Sequence, residues 1–246
     1  MEISSKPVAV RTPDGEMGAL LAAPAGRGPF PAIVVVMEAF GLTAHIKHVA
    51  ERLAREGYVT LAPDLYYRDR GPIVSYHDVP EAIRLMSELG DEKVLQDMAA
   101  AIAFVQQQPN VRPGGVGVTG FCMGGRITFF TACRTPAVAA AAPFYGGGIG
   151  SVMVPSERTP KAPLEYAEGL QAPLLLFFGG DDPFIPREEI ERIKARLAAL
   201  GKRADTIVYP GAPHGFFCED RESYRADAAQ DAWQRLLTFF DHHLRS

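Results

Sequence analysis

Cysteine is scarce in this chain: three in 246 residues, at Cys122, Cys133 and Cys218, with no CxxC spacing. So small, odd and scattered a set excludes a disulfide scaffold and a zinc knuckle and reads as reduced thiols. The ordinary meaning of such a residue is a buried, inert thiol, and Cys133 is read that way. Long hydrophobic runs are missing too: none approaches the roughly 18 residues a membrane span needs. The opening MEISSKPVAVRTPDGEMG is polar and alternating, with no basic stretch leading into an apolar one. No secretory signal is expected from it, and a cytoplasmic location is. An excess of positive charge is lacking as well. Lys and Arg number 25 against 29 Asp and Glu, for a net charge of −4, and the basic residues are scattered. That excludes the electrostatic footprint of a nucleic-acid or anionic-membrane partner. Internal repeats, low-complexity tracts, Walker motifs and dinucleotide motifs are absent, and the histidines lack ligand spacing. Neither a cofactor nor a metal is expected.

What the chain has is apolar material, 47% of residues, cut into short runs. That is enough for one sizeable core, so a single domain over residues 1–246 is expected. VAVRTP and GALLAAP flank Asp14-Gly15, a turn signal, and predict an opening hairpin. The run Pro31 to Met37 (PAIVVVM) is β-branched without alternation, as in a strand buried on both faces of a parallel sheet. Residues 44–56 carry Ile46, Val49, Ala50, Leu53 and Ala54 at helical spacing, and Gly57 stops them. Strands and helices then alternate: YVTLAP, a helix over 91–108, GVGVT, a helix from near Gly124, VAAAAPFYG, APLLLFFGG, a helix over 187–200, DTIVYP and a helix over 224–244. The alternation predicts an α/β fold, a mostly parallel central sheet with helices on both faces. Function in such sheets sits at the carboxyl ends of the strands.

One loop at such a place reads Gly120-Phe121-Cys122-Met123-Gly124-Gly125. It has the G-x-nucleophile-x-G form of a nucleophile elbow, with cysteine at its centre. A strand must reverse into a helix there, and bulk two residues to either side of Cys122 would clash. The turn would lift the sulfur above the sheet at a helix N-terminus, where free N–H groups favour negative charge. The Met123 N–H would then be placed to donate to an oxyanion. The plainer alternative is a glycine-rich turn with an incidental buried cysteine. It loses ground because a base and an acid follow in the order such sites use. Three histidines follow Cys122, and His242 and His243 lie on the terminal helix. His214, in the loop YPGAPHGFF after a strand, is the candidate base. The acid should follow APLLLFFGG, where Asp181 and Asp182 stand side by side. Spacing does not choose between them, and one of the two has only to orient the histidine.

Together these residues resemble the dienelactone hydrolase family of α/β-hydrolases, over nearly the whole chain. The segments that carry the likeness are MEAFGL (37–42), EGYVTLAPDLYYR (56–68), GFCMGG (120–125), PFYGGGI (143–149), GGDDPFIP (179–186) and PHGFF (213–217). The resemblance implies an α/β-hydrolase fold and hydrolysis of small esters or lactones. It implies a triad of Cys122, His214 and Asp182, the last because the family's acid directly precedes an x-F-[V/I]-P segment. It also implies that Glu38, beside the resting thiol, helps activate it. A carboxyl behind a buried strand would be desolvated, with a raised pKa, and fit to exchange a proton with a thiol. The Ala39 N–H would be the second oxyanion donor.

The chain also departs from the family. Dienelactone enzymes hold the substrate carboxylate with two arginines, and the aligned positions here carry Cys218 and Val79. Arg84 is near Val79 in sequence but off the aligned position, and Gly215 stands where those enzymes have serine. Small uncharged esters or lactones are therefore the expected substrates. Residues 150–170 interrupt the alternation and read as a long loop over the site. Tyr145, Met153 and Phe216 would line a pocket beneath it, with Phe40 and Phe121 as further candidates. Two rival readings remain: a non-catalytic relative that binds a small ligand, and a redox sensor in which Cys218 resolves an oxidised Cys122. A serine-type esterase is excluded by the cysteine in the elbow.

Overall fold

The valine run forms the centre of the molecule. Strand β3 (Ala32–Val36) is buried at every residue, because it is covered on both faces. A computed structural model describes residues 1–152 and 156–245. The opening hairpin pairs β1 (Ile3–Thr12) with β2 (Gly15–Pro24), antiparallel, with Thr12 opposite Gly15. Six further strands complete the sheet: β3, β4 (Val59–Pro63), β5 (Val116–Phe121), β6 (Val138–Phe144), β7 (Leu174–Gly179) and β8 (Ala204–Tyr209). Their spatial order is β1-β2-β4-β3-β5-β6-β7-β8. Every pairing from β4 to β8 is parallel, and β2 meets β4 antiparallel.

The helices are α1 (Ala44–Arg55), α2 (Val79–Glu88), α3 (Asp91–Gln106), α4 (Met123–Arg134), α5 (Arg187–Ala199) and α6 (Ala226–Leu244). Helix α1 starts where Thr43 accepts the Ile46 N–H at 3.4 Å and stops before Gly57, whose φ of 94° suits glycine. It buries Ile46, Val49, Ala50, Leu53 and Ala54 against the sheet, the stripe its spacing predicts. Ile46, Val49 and Leu53 each contribute about 1.5–3 kcal/mol when fully buried, and the alanines less. Strand order reverses at β3, with β4 on one side and β5 on the other, so the crevice at their carboxyl ends is the natural site.

Two segments differ from expectation. The sequence reading missed helix α2, although Val79, Ala82, Ile83 and Met86 recur at helical spacing behind Asp78, which accepts the Glu81 N–H at 3.3 Å, with Pro80 in the first turn. Residues Pro163–Gly169 form a 3₁₀ helix, not a loop over the site. Leu164 and Ala167, three apart, are buried as a three-residue period requires. Tyr166 packs on Phe130, with ring centroids 5.2 Å apart, and Gly169 abuts the Cys133 carbonyl. Those contacts put it toward the end of α4 remote from Cys122. Met153 lies outside the described residues.

Candidate active site

Cys122 stands between β5 and α4 with φ 56° and ψ −119°, a conformation costing about 1–3 kcal/mol for a non-glycine residue. The neighbouring glycines make it attainable. A β-carbon on Gly120 would run into the Gly124 carbonyl, and one on Gly124 would come within 2.5 Å of the Val36 and Met37 carbonyls. The Cys122 N–H is spent on the Phe144 carbonyl at 3.1 Å. Helix α4 begins at Met123, so the Met123 N–H belongs to the first turn and has no acceptor within the helix. The sulfur-bearing residue is only half-buried, and it stands in the crevice left by the strand reversal.

His214 and Asp182 reach this crevice from the loops after β8 and β7. His214 Nδ1 lies 2.7 Å from Asp182 Oδ2. The second oxygen, Asp182 Oδ1, accepts the Phe184 N–H at 2.9 Å, which fixes the carboxylate plane. The Asp182 side chain is fully shielded, whereas Asp181 is exposed and uses its N–H on the Ala212 carbonyl. Of the adjacent pair, Asp182 is therefore the one that meets the histidine. Burial alone would push the His214 pKa down. The charge of Cys122 and the hydrogen bonds to Asp182 and Cys122 overcome it and raise the group to about 10. The protonated ring is the form this environment favours. The Tyr145 and Phe184 rings pack edge-on against His214, at 5.1 and 5.2 Å.

Glu38 follows β3 and is completely buried, and neither carboxyl oxygen has a hydrogen-bond partner. Burial pushes its pKa up, against the opposing charges of Arg221 and His214. Arg221 Nη1 is 3.7 Å from Glu38 Oε1 and is itself buried without a hydrogen-bond partner. Its guanidinium lies over the Phe40 and Tyr76 rings, at 5.4 and 5.5 Å. The sequence reading missed Arg221. It sits seven residues past His214, in a loop with no periodic signal. Gly215 carries the only local hint: a β-carbon there would strike the Arg221 guanidinium.

Tyr66 was missed as well. Its hydroxyl donates to the Ala39 carbonyl at 3.0 Å and lies 3.6 Å from Met123 Sδ. It thus ties together the two residues whose N–H groups are the candidate oxyanion donors. Among the expected pocket residues, Phe121 and Phe216 present no surface to a ligand. Phe121 is stacked on Phe217 at 5.2 Å, and Phe216 packs on Tyr145 and Tyr209. They were misread because aromatics beside the motif residues serve the core beneath it. Phe40 is buried under Arg221, and Tyr145 is fully buried with its hydroxyl unpartnered. Burial pushes the thiols of Cys218 and Cys133 up to about 12, and Cys218 Sγ lies 3.4 Å from the Tyr76 hydroxyl. A thiol held so firmly protonated is a poor resolving nucleophile.

Among the described residues, no helix is long and apolar enough to cross a membrane. Comparison with known proteins is consistent over the whole molecule. The family model described as "Dienelactone hydrolase family" matches residues 17–244. A protein of Methylorubrum extorquens named "Putative carboxymethylenebutenolidase" is 42% identical over 92% of this chain and 77% of its own length. One of the same name from Synechocystis is 38% identical over 100% of this chain and 99% of its own. The crystal structure titled "Putative Dienelactone Hydrolase" from Klebsiella pneumoniae superposes with a TM-score of 0.91 at 36% identity, covering 98% of this chain and 99% of that one.

Proposed function

The chain belongs to the dienelactone hydrolase family and is a carboxylic ester hydrolase, and we propose that it cleaves small esters or lactones through a thioester on Cys122. The observation that carries this reading is the 2.7 Å bond from Asp182 to a His214 whose pKa is raised by Cys122. The Cys122 thiolate attacks the substrate carbonyl carbon. The carbonyl electron pair moves to oxygen, which faces the Met123 and Ala39 N–H groups. Collapse of that tetrahedral species breaks the C–O bond, and the leaving oxygen takes a proton from His214. Water, deprotonated by His214, then attacks the thioester, frees the carboxylic acid and restores the thiolate. Asp182 orients the ring and stabilises its cationic form without taking the proton. Glu38, pushed toward its protonated form by burial, is the group suited to give a proton to the Cys122 sulfur between turnovers and to take it back as substrate binds.

A second substrate reading, a lactone that bears a carboxylate, is favoured by one observation. Arg221 Nη1 is buried with no hydrogen-bond partner, so the site has a cation although positions 79 and 218 do not supply one. The test is hydrolysis of p-nitrophenyl acetate and dienelactone by wild type and Cys122→Ala. Turnover of the acetate, lost by about 10³-fold or more in the variant, supports the cysteine hydrolase. A variant within tenfold of wild type contradicts it. Preference for dienelactone over the acetate selects the anionic substrate.

A further inference from the structure

A cavity of about 140 Å³ lies beside the nucleophile, bounded by α2, α3, the first turns of α4 and the residues Val152, Ser156 and Thr159. Its apolar wall is Ile83, Met86, Leu89, Val94, Ile127 and Val152. The charged residues in its lining, Asp91 and Arg126, bind each other at 2.9 and 3.3 Å, and the remaining polar groups are hydroxyls at Ser87, Ser156 and Thr159. The cavity therefore suits an uncharged guest. It shares Met123 with the catalytic crevice, the residue that directly follows Cys122. No residue of the Asp182 or His214 loops lines it.

That placement decides which part of a substrate belongs there. The leaving oxygen must face the base that protonates it, so the leaving group lies on the His214 side. The acyl group stays on the sulfur and extends away from that side, past the oxyanion donors. We propose that this cavity is an acyl pocket and that the enzyme prefers uncharged esters with an apolar acyl group of about four to six carbons, or a benzoyl group. A cavity of about 150 Å³ lined by similar side chains accommodates benzene, which sets the size. Met123, unbranched and adaptable, lines the pocket on the side of the nucleophile. This inference rests on the hydrolase reading above and adds the substrate class to it.

The test is kcat/KM for p-nitrophenyl acetate, butanoate, hexanoate and benzoate. Wild type should gain about tenfold from acetate to butanoate, as expected from burying two methylenes. Met86→Trp narrows the pocket and should bring the butanoate-to-acetate ratio of kcat/KM down to about one. Met86→Leu should keep the gain. Should Met86→Trp lose acetate turnover through misfolding, Ile83→Trp, at an exposed position on the pocket mouth, decides in its place. A wild-type profile that is flat or falls with acyl length, or a gain that survives the Trp variants, overturns the acyl pocket and leaves the hydrolase standing. Absence of Cys122-dependent acetate turnover overturns both.

Discussion

The Glu38 carboxyl and the Arg221 guanidinium face each other at 3.7 Å, a separation too long for a hydrogen bond, in a place where Glu38 has no exposed surface. The pair is an incomplete ion pair: burial favours the neutral acid, and the cation only partly offsets it. An acid whose folded pKa is raised adds nothing unfavourable below its unfolded value of about 4.3 and destabilises as pH rises above it. Glu38→Gln should therefore raise Tm at pH 8 by about 2 °C or more, and change it little at pH 4. Arg221→Met should do the opposite, lowering Tm more at pH 8 than at pH 4. Thermal denaturation at the two pH values checks both, and equal shifts at both would contradict the assignment.

Tyr66 acts at one remove from the chemistry, through the carbonyl of Ala39. Tyr66→Phe removes the donor and leaves that carbonyl without its 3.0 Å partner, at a stability cost of about 1 kcal/mol. As a positioning residue for the oxyanion donors, it should lower kcat for p-nitrophenyl acetate by about tenfold with KM unchanged. Steady-state kinetics beside a melting curve separates this from a purely structural role, which would lower Tm and leave kcat alone.

His214 carries a signature that can be read directly. With its pKa raised to about 10, the ring stays protonated through pH 8, and the stabilisation this represents is fully present below about pH 6.5 and lost as pH climbs through 10. Cys122→Ala removes the sulfur charge and hydrogen bond, while burial and Asp182 remain, so the pKa should fall. An NMR titration of the ring in both proteins measures the change. An unchanged midpoint would mean that Cys122 and His214 do not share a charge.

The sequence made the parallel sheet legible because its strands are unbroken apolar runs and its helices α1 and α5 carry wide polar faces. It made the elbow legible because Gly120 and Gly124 are required by backbone crowding, a constraint that leaves its mark at fixed offsets from Cys122. Asp182 against Asp181 was beyond local spacing, since the choice depends on which side chain turns inward from the loop after β7. Arg221 was hidden for a similar reason: its approach to Glu38 is made by an irregular loop, and only the missing side chain at Gly215 reflects it. Helix α2 was legible in principle, from the Asp78 cap, Pro80 and the helical spacing of Val79, Ile83 and Met86. What local spacing does not carry is that Ile83 turns away from the core, to the mouth of the acyl pocket.

The mechanism turns on a covalent acyl-enzyme at Cys122, which mass spectrometry of acid-quenched enzyme detects. Wild type mixed with p-nitrophenyl butanoate and quenched within the first turnover should gain the mass of one butanoyl group, mapped to the peptide that contains Cys122, and Cys122→Ala should gain none. Ester turnover by wild type with no adduct on Cys122, either in wild type or in His214→Ala, where deacylation is slowed, would rule the acyl-enzyme out, as would an adduct that persists in Cys122→Ala.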